Sequence, residues 1–542
     1  MGTAVFQRAL AHQADEQGQV TSEMIERAEW IAGIELTAPQ RETMKKRLAA
    51  LLADYEALRE VRLDRMVAPA LHFTAEAGTV VPLAAPANRK VGVAFDAEKL
   101  RPPGEEDLAY LPVADLARLL RQKKVTSVEL TELALRRLKG ADGVLRCVVT
   151  LTEELAMRQA RAADVEIQAG RWRGPLHGIP WGAKDLIAYP GYRTTFGAPQ
   201  FTSQVLQAKA TVAQRMDDAG AVLVAKLSLG ALAQGDEWFG GMTRNPWNTE
   251  EGASGSSSGS AAAVAAGLLP IAIGSETLGS IISPSTRCGA TGLRPTFGRV
   301  SRYGCMPLAW SLDKIGPIAR SAECCAIVLA AIHGADGLDP TAVDRPFTWP
   351  VTKPFAEMTF GYLESEGGPS DREPLRILGD LGMKLTPIRL PEDFPFDAMD
   401  LILDVEAATV FDDLLTAGES AGLNRWPSSW RKGAFVTARE YLRTQRIRTR
   451  LLEAMRQATQ GLDGYLAIDD LVLTNLTGHP QIALPSGFTR RGGADVPVSI
   501  VLTGQVFGED RLLAVAAAWQ KATGFHLRRP TLPQPGQPAP PK

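Results

Sequence analysis

The sequence predicts a mixed α/β fold, because short apolar runs alternate with amphipathic segments over most of its length. Residues 221–225, 268–273 and 482–485 are apolar runs of strand length, whereas 208–219 and 511–522 carry the period of a half-buried helix. A chain of 542 residues that is 45% hydrophobic can bury one large core. Lys+Arg of 59 against Asp+Glu of 61 leave a formal charge of -2, so no summed field draws nucleic acid or an anionic membrane surface. No nucleic acid and no membrane are expected as partners, and a homodimer is compatible with the sequence.

Four segments are expected. Residues 1–65 read as a helical extension, 66–105 as an extended linker, 106–530 as the main α/β body and 531–542 as a disordered tail. The start, MGTAVFQRALAHQADEQGQ, has no apolar region of a secretory signal, and Phe6 stands where a myristoylation signal needs Ser or Thr. In the extension, a helix over 22–32 presents Met24, Ile25, Ala28 and Ile31 on one side and stops at Gly33. A second helix over 39–58 places Met44, Leu48, Leu51, Tyr55 and Leu58 at steps of four and three. Two such helices bury little alone, so the stripe needs a partner, and the body of the same chain is the candidate. The stretch 66–104 holds several prolines and little helical period, as a connector does. Thr126 and Glu129 form a capping box that opens a helix running through Leu138. After Pro530 the tail TLPQPGQPAPPK is proline-rich and almost without apolar residues, so it is expected to be extended and disordered. The five cysteines are odd in number and lack metal-type spacing, and no stretch approaches the ~20 apolar residues of a membrane span. Reduced thiols and a cytoplasmic location are the consequent expectations.

Chemistry concentrates between 252 and 296. In GASGSSSGSAAAVAAG a Gly/Ser loop runs straight into an alanine-rich segment that favours helix. A flexible linker would continue into polar sequence, but this loop lies between apolar runs, so a tight loop is favoured. Such a loop at a helix N-terminus aims backbone N–H groups and hydroxyls at one point, which suits a developing negative charge. A second segment, IGSETLGSIISPSTRCGATGLRPT, places Ser280 after Gly279 at another turn.

These segments, with GPLHGIPWGAKDLI at 174–187, resemble the amidase signature, a family that includes fatty acid amide hydrolase and the A subunit of tRNA-dependent amidotransferases. The resemblance continues through TTFGAPQF, GAVLVAKLSLGALAQGD, FGGMTRNPWN, GRVSRYGCMPLAWSLDKIGPIARS, NLTGHPQIALPSGF and HLRRP, spanning 108–530. It implies a large twisted mixed β-sheet covered by helices, and a serine amidohydrolase that cleaves a carboxylic amide, and also esters or carbamates, through an acyl-enzyme. The partner that the resemblance implies is a small-molecule amide substrate. By position it implies Lys184 as the base, Ser256 as a relay after a cis peptide at Gly255, and Ser280 as the nucleophile. Ser257 would hold the loop or Lys184, and the backbone N–H groups of Thr277, Leu278, Gly279 and Ser280 would form an oxyanion hole. The residue types fit the chemistry. A serine hydroxyl must lose its proton as it attacks a carbonyl, and a lysine accepts that proton only when burial lowers its pKa from about 10.4. No cofactor and no metal are expected: the six histidines are scattered, and His177 reads as structural.

Several residues depart from the family pattern. Glu276 stands for an aspartate, Leu278 for a glycine in the oxyanion turn and Ile282 for an arginine two residues after the nucleophile, while Trp181 adds bulk three residues before the base. Together they imply a modified acyl pocket around a complete triad. Two other motifs compete. GSSSG at 255–259 matches the GxSxG elbow of α/β-hydrolases, with Ser257 as nucleophile and His333, His479 or His526 as base, but leaves the lysine and the second serine unexplained. SLDK at 311–314 matches the SxxK of β-lactamases, and no KTG follows. Residues 21–58 resemble the small C subunit of tRNA-dependent amidotransferases. A stand-alone amidase acting on small or aryl amides is the first reading, a glutamine-hydrolysing, ammonia-donating component of an amidotransferase the second, and a noncatalytic scaffold the third.

Overall fold

The computed structural model describes residues 20–63, 70–71, 89–91, 104–369, 372–466 and 469–532. The expected linker lies almost wholly outside these residues, as does the expected disordered tail from 533 onward. Eleven strands build one mixed sheet: β1 Val148–Leu151, β2 Pro180–Lys184, β3 Val222–Leu227, β4 Ile271–Glu276, β5 Thr291–Arg294, β6 Lys314–Ala319, β7 Thr359–Leu363, β8 Lys384–Ile388, β9 Gly464–Leu466, β10 Gln481–Arg491 and β11 Ala494–Gly504. Their spatial order is β8-β7-β9-β11-β10-β5-β6-β4-β2-β3-β1. The expected α/β class, with helices covering a mixed sheet, is what the chain forms.

The apolar runs mark the centre of this sheet. Every residue of β2, β3 and β6 is buried, and for β3 this is why the strand reads as an unbroken run rather than an alternating one. The run at 482–485 starts β10, whose pairing with β11 shifts register between Pro485 and Gly487 and whose outer half is half-buried, then exposed from Thr489. That outer half carries no apolar signal, so only the buried part was legible. The alanine-rich helix Ser258–Ala265 is buried along its whole length and packs on β2, β4 and β6. Small side chains permit that close approach on all sides.

Pairing directions then place the site. β2 runs parallel to both β3 and β4, while β6 is antiparallel to β4 with Lys314 opposite Glu276. The C-terminal ends of β2 and β4 and the start of β6 therefore meet at one edge of the sheet. In open α/β sheets, that edge is where ligands bind.

Helix signals were also met. Thr126 Oγ1 accepts the Glu129 N–H at 3.1 Å and the Glu129 carboxylate accepts the Thr126 N–H at 2.7 Å, opening the helix Ser127–Leu145. The helix Ser22–Ala32 ends at Gly33 with φ of 69°, a left-handed cap. Ile31, expected on its apolar side, is 43% exposed instead. Glu29 takes the buried side of that turn, where its carboxylate receives Arg41 at 2.6 Å and the Leu36 N–H at 3.2 Å.

The described residues fall into two compact units. One holds the described residues within Met1–Phe73, Pro307–Leu312 and Leu390–Ala458, and the other those within Thr74–Met306, Asp313–Arg389 and Thr459–Lys542. In the first unit, Met44, Leu48, Leu51, Tyr55 and Leu58 of the helix Ala38–Glu60 are buried as the stripe requires. Their cover comes from Phe396–Met399, Trp426–Ala434 and Ala438–Ala458 of the same chain. Tyr55 Oη donates to the Phe435 carbonyl at 3.2 Å, Arg59 pairs with Glu440 at 2.9 Å, and Arg443 donates to the Leu58 carbonyl at 2.7 Å. No helix among the described residues is long and apolar enough to cross a membrane. Leu51→Ala, which empties part of this buried stripe, is expected to cost about 2–5 kcal/mol and to lower the urea midpoint of unfolding. An unchanged midpoint would show that the stripe contributes nothing to stability.

Candidate active site

Lys184 is the last residue of β2 and is fully buried. Its Nζ donates to Ser256 Oγ at 2.7 Å, Ser275 Oγ at 2.9 Å and Ser257 Oγ at 3.0 Å, and lies 3.2 Å from the Ser275 carbonyl. Among the described residues no carboxylate pairs with it. Hydroxyls donate as well as accept, so this cage can hold a neutral amine as readily as an ammonium. Burial pulls the Lys184 ammonium down to about 7, against the opposing pull of Asp313 and Glu276. Lys226, on the neighbouring strand, makes the contrast. Also fully buried, it reaches Asp185 at 2.7 Å and the Thr194 hydroxyl at 3.0 Å, a closed ion pair that ties β3 to the loop after β2.

Strand alternation sorts the other side chains of β2. Trp181 and Ala183 stand on the face opposite Lys184, and Trp181 is fully buried. Trp181 therefore belongs to the core and not to the wall of a substrate pocket, a correction to its expected role. A spacing of three residues crosses faces on a strand, although it stays on one face of a helix.

The loop before the helix Ser258–Ala265 carries the two hydroxyls that meet Lys184. The peptide between Gly255 and Ser256 is cis. At Gly255 an added Cβ would stand 1.8 Å from the Gly235 carbonyl oxygen, so no side chain fits there. Ser257 Oγ is fully occupied: it accepts from Lys184 and, at 3.2 Å, from the Ser275 N–H, and it donates to the Ser275 carbonyl at 3.1 Å. The Ser257 N–H also donates to the Ser280 carbonyl at 3.0 Å, which locks the two hydroxyl-bearing turns together. Among the described residues, none of His333, His479 and His526 hydrogen-bonds Ser257. His479 pairs with Thr477 at 2.8 Å instead, and His333 lies against Phe347.

Ser280 follows Gly279, whose φ of 87° needs a residue without Cβ. Leu278 is not in the left-handed region, so the leucine is accommodated without backbone strain. The carbonyls of this turn are tied back, with Gly279 O accepting the Ser283 N–H at 2.7 Å and Thr277 O accepting Lys314 Nζ at 3.3 Å. Among the described residues, the N–H groups of Thr277, Leu278, Gly279 and Ser280 make no hydrogen bond, and neither does Ser280 Oγ. Four free donors on one turn beside a hydroxyl that is 8% exposed can receive a negatively charged oxygen.

Glu276 is the anchor under the turn. Its carboxylate accepts the Ile281 and Ile282 N–H groups at 2.8 and 2.9 Å, Arg294 at 2.7 Å and Asn475 at 3.0 Å. Burial alone would raise this carboxyl, but Arg294, Lys314 and the Ile282 N–H outweigh it and hold it at about 2. Ile282 itself lines a cleft of 670 Å³ beside the turn, where Leu471, Val498 and Ile500 stand together with charged Arg287, Arg372 and Asp469.

Sequence reasoning missed Ser275, Lys314 and Asn475. Ser275 lies inside GSETLGS, and a serine at the end of an apolar strand was its available signal. Lys314 lies inside SLDK, read there as the lysine of an SxxK pair. That pair does not exist: Ser311 donates to Glu406 at 2.6 Å and accepts from Arg448 at 3.0 Å in one unit, while Lys314 serves Thr277 in the other. Asn475 had no local signal at all. His177 is buried, accepts the Arg173 N–H at 3.2 Å, and is held low by desolvation. Among the described residues no cluster of His, Cys, Asp and Glu could hold a metal ion. Glu276→Ala would strand the fully buried Arg294 without its carboxylate, so it is expected to cost about 3–5 kcal/mol in urea unfolding. A variant as stable as the parent would remove Glu276 as the anchor.

Known proteins share this arrangement of sequence and fold. A family model described as Amidase matches residues 129–467. The chain is 34% identical over 491 residues to the A subunit of the glutamyl-tRNA(Gln) amidotransferase from Roseiflexus sp. (strain RS-1), covering 79% of this chain and 99% of that one. It is likewise 34% identical over 480 residues to the corresponding protein from Methylococcus capsulatus, covering 77% and 98%. Among solved structures, the native peptide amidase of Stenotrophomonas maltophilia superposes with a TM-score of 0.68 at 28% identity, over 78% of this chain and 98% of that one. A protein from a vestigial complex related to the origins of an s-triazine catabolic enzyme superposes with a TM-score of 0.69 at 27% identity, over 78% and 100%. Alike in motif order, in sheet and in the matched 129–467 segment, this chain belongs to the amidase-signature family of amidases.

Proposed function

We propose that the chain is a serine amidohydrolase in which Ser280 attacks a carboxylic amide, Ser256 relays the proton and Lys184 is the base. One observation carries this reading: a fully buried lysine, without a carboxylate partner among the described residues, donates at 2.7 Å to Ser256, on a loop bonded to the backbone of Ser280. Neutral Lys184 takes the Ser256 proton as Ser256 takes that of Ser280, and Ser280 Oγ bonds to the amide carbon. The oxygen of the tetrahedral intermediate carries the negative charge and lies against the free N–H groups of Thr277, Leu278, Gly279 and Ser280. Each such donor is worth about 3–4 kcal/mol in the transition state. When the C–N bond breaks, the proton returns through Ser256 to the leaving nitrogen, and water then cleaves the acyl-enzyme by the same relay. The leg from Ser280 to Ser256 closes as the Ser280 hydroxyl turns with substrate in place, since such bonds tighten in the occupied site. Ser257 supports Lys184 and the loop, Gly255 permits the close approach to Gly235, and the chemistry needs no cofactor.

The expected substrates are small or aryl amides, with esters and carbamates as slower or faster variants of one acyl transfer. Ile282, Leu471 and Val498 give the cleft an apolar side for an acyl group, beside Arg287, Arg372, Arg491, Asp469 and Asp470 in the same lining. A second reading has a specific observation behind it: the curated relatives at 34% identity are named as the A components of amidotransferases, so a glutamine-hydrolysing, ammonia-donating role is the alternative. The proposed catalytic body spans 106–530, preceded by the helical extension. All five cysteines are free thiols, which suits a cytoplasmic protein.

The test combines variants with a pH profile. Because burial lowers Lys184 to about 7, the base is neutral above that pH and protonated below it, so kcat should rise with pH through a midpoint near 7. Lys184→Ala should remove this limb and lower kcat by about 10²–10⁴-fold, whereas substituting His333, His479 or His526 leaves the midpoint in place. Ser280→Ala should abolish hydrolysis with the fold retained, and Ser256→Ala should be nearly as severe. A serine-directed phosphonate that labelled Ser257 and spared Ser280 would overturn the mechanism. In a panel of amides, turnover of glutamine alone would decide for the second reading.

A further inference from the structure

The turn that carries Ser280 is gripped from the start of β6 by two adjacent side chains. Asp313 accepts the Thr277 hydroxyl at 2.6 Å, and Lys314 Nζ donates to the Thr277 carbonyl at 3.3 Å and to Asn475 Oδ1 at 2.6 Å. Asn475 passes the contact on by donating to Glu276 at 3.0 Å, and Glu276 pairs with Arg294 at 2.7 Å. A continuous chain of buried polar groups thus ends on one carbonyl of the turn. Lys314 is 2% exposed and points at neither Ser256 nor Lys184, so the proton relay does not use it.

The placement has an electronic consequence. The Thr277 carbonyl and the Leu278 N–H are opposite ends of one planar peptide group, and that N–H is without a partner among the described residues. A cation bonded to the carbonyl end polarises the peptide and makes its N–H a stronger donor, as in any cooperative hydrogen-bond chain. It also fixes the peptide plane, so the donor does not have to reorganise when charge appears. The grip matters more here because Leu278 and Thr277 must hold that plane on a turn whose only left-handed residue is Gly279.

We propose that Lys314 is a positioning residue of the turn, fixing and polarising the Thr277–Leu278 peptide so that its N–H stabilises the negative oxygen formed when Ser280 attacks. This rests on Ser280 being the nucleophile. Lys314 hydrogen-bonds none of Lys184, Ser256 and Ser280, and its effect on the reaction passes through that peptide.

The experiment compares wild type, Lys314→Met, Lys314→Gln and Ser280→Ala in the full chain. Lys314→Met removes charge and donor, and Lys314→Gln keeps a neutral donor. For a neutral aryl amide, Lys314→Met should lower kcat by about 10–100-fold with KM within about twofold, and Lys314→Gln should fall between it and wild type. Phenylboronic acid, which forms an anionic tetrahedral adduct on a serine, should lose affinity for Lys314→Met by the same factor as kcat/KM. The carboxylic acid product, which forms no such adduct, should bind as to wild type. Wild-type kcat and boronate affinity in Lys314→Met would overturn the assignment, and so would equal losses for boronate and product, which mark a distorted site. Should Lys314→Met fail to fold, a folded Lys314→Gln with undiminished boronate affinity overturns it equally. Ser280→Ala separates the two levels. Full turnover in that variant overturns the underlying reading, whereas a dead Ser280→Ala beside an unchanged Lys314→Met overturns the Lys314 proposal alone.

Discussion

Burying the amine of Lys184 costs desolvation free energy that Asp313 and Glu276 only partly offset, and the end of β4 and the loop entering the helix Ser258–Ala265 meet it with hydroxyls. Parallel pairing of β2 with β4 brings Lys184 beside Ser275, and the loop entering the helix Ser258–Ala265 supplies Ser256 and Ser257 from above. Remove the parallel register and the amine would face apolar side chains with nothing to accept its protons. The same register sets where β4 ends, and therefore where the turn carrying Ser280 begins. Tight packing of small residues follows from this: alanines in the covering helix, and Gly274 in β4, where a Cβ would stand 2.7 Å from Ser257 Oγ.

Two kinds of buried charge serve different ends here. Lys226 with Asp185 and Arg294 with Glu276 are closed pairs whose lone pairs and protons are spent on one another and on nearby backbone. Such pairs fix geometry, because separating them would strand a charge in the interior. Lys184 meets the hydroxyls of Ser256 and Ser275, which can switch between donor and acceptor, beside the Ser275 carbonyl, so it can change protonation state without leaving a charged partner stranded. The sheet thus keeps rigid electrostatics on either side of one titratable amine.

Much of this was legible in the sequence, and the exceptions have physical causes. Thr126 with Glu129 and Gly33 mark helix ends because capping is decided by residues a few positions apart. The apolar runs of β3 and β4 show because both faces of those strands are covered. Lys184, Ser256 and Ser280 stood out as family motifs, each on a turn or strand end. Trp181 was misplaced because its spacing from Lys184 was weighed without the alternation of a strand. Ser275 and Asn475 meet the site only after β4 and the helix Leu471–Thr477 come together, nearly 200 positions apart in the chain, and no local pattern reports such a meeting. The apolar stripe of Ala38–Glu60 announced that it needed a partner, but the identity of that partner is a property of the folded chain.

That last feature bears on how the protein is made. Tyr55 bonds to Phe435, 380 positions later, so the helix Ala38–Glu60 cannot complete its packing until the segment around Phe435 has been made. At about 5–20 residues per second, Met44, Leu48 and Leu51 wait roughly 20–80 s for their cover. During that interval the nascent chain presents a continuous oily stripe to its surroundings. Chaperone capture at this stage, and aggregation when synthesis stalls before the segment around Phe435, are the hazards this architecture carries into the cell.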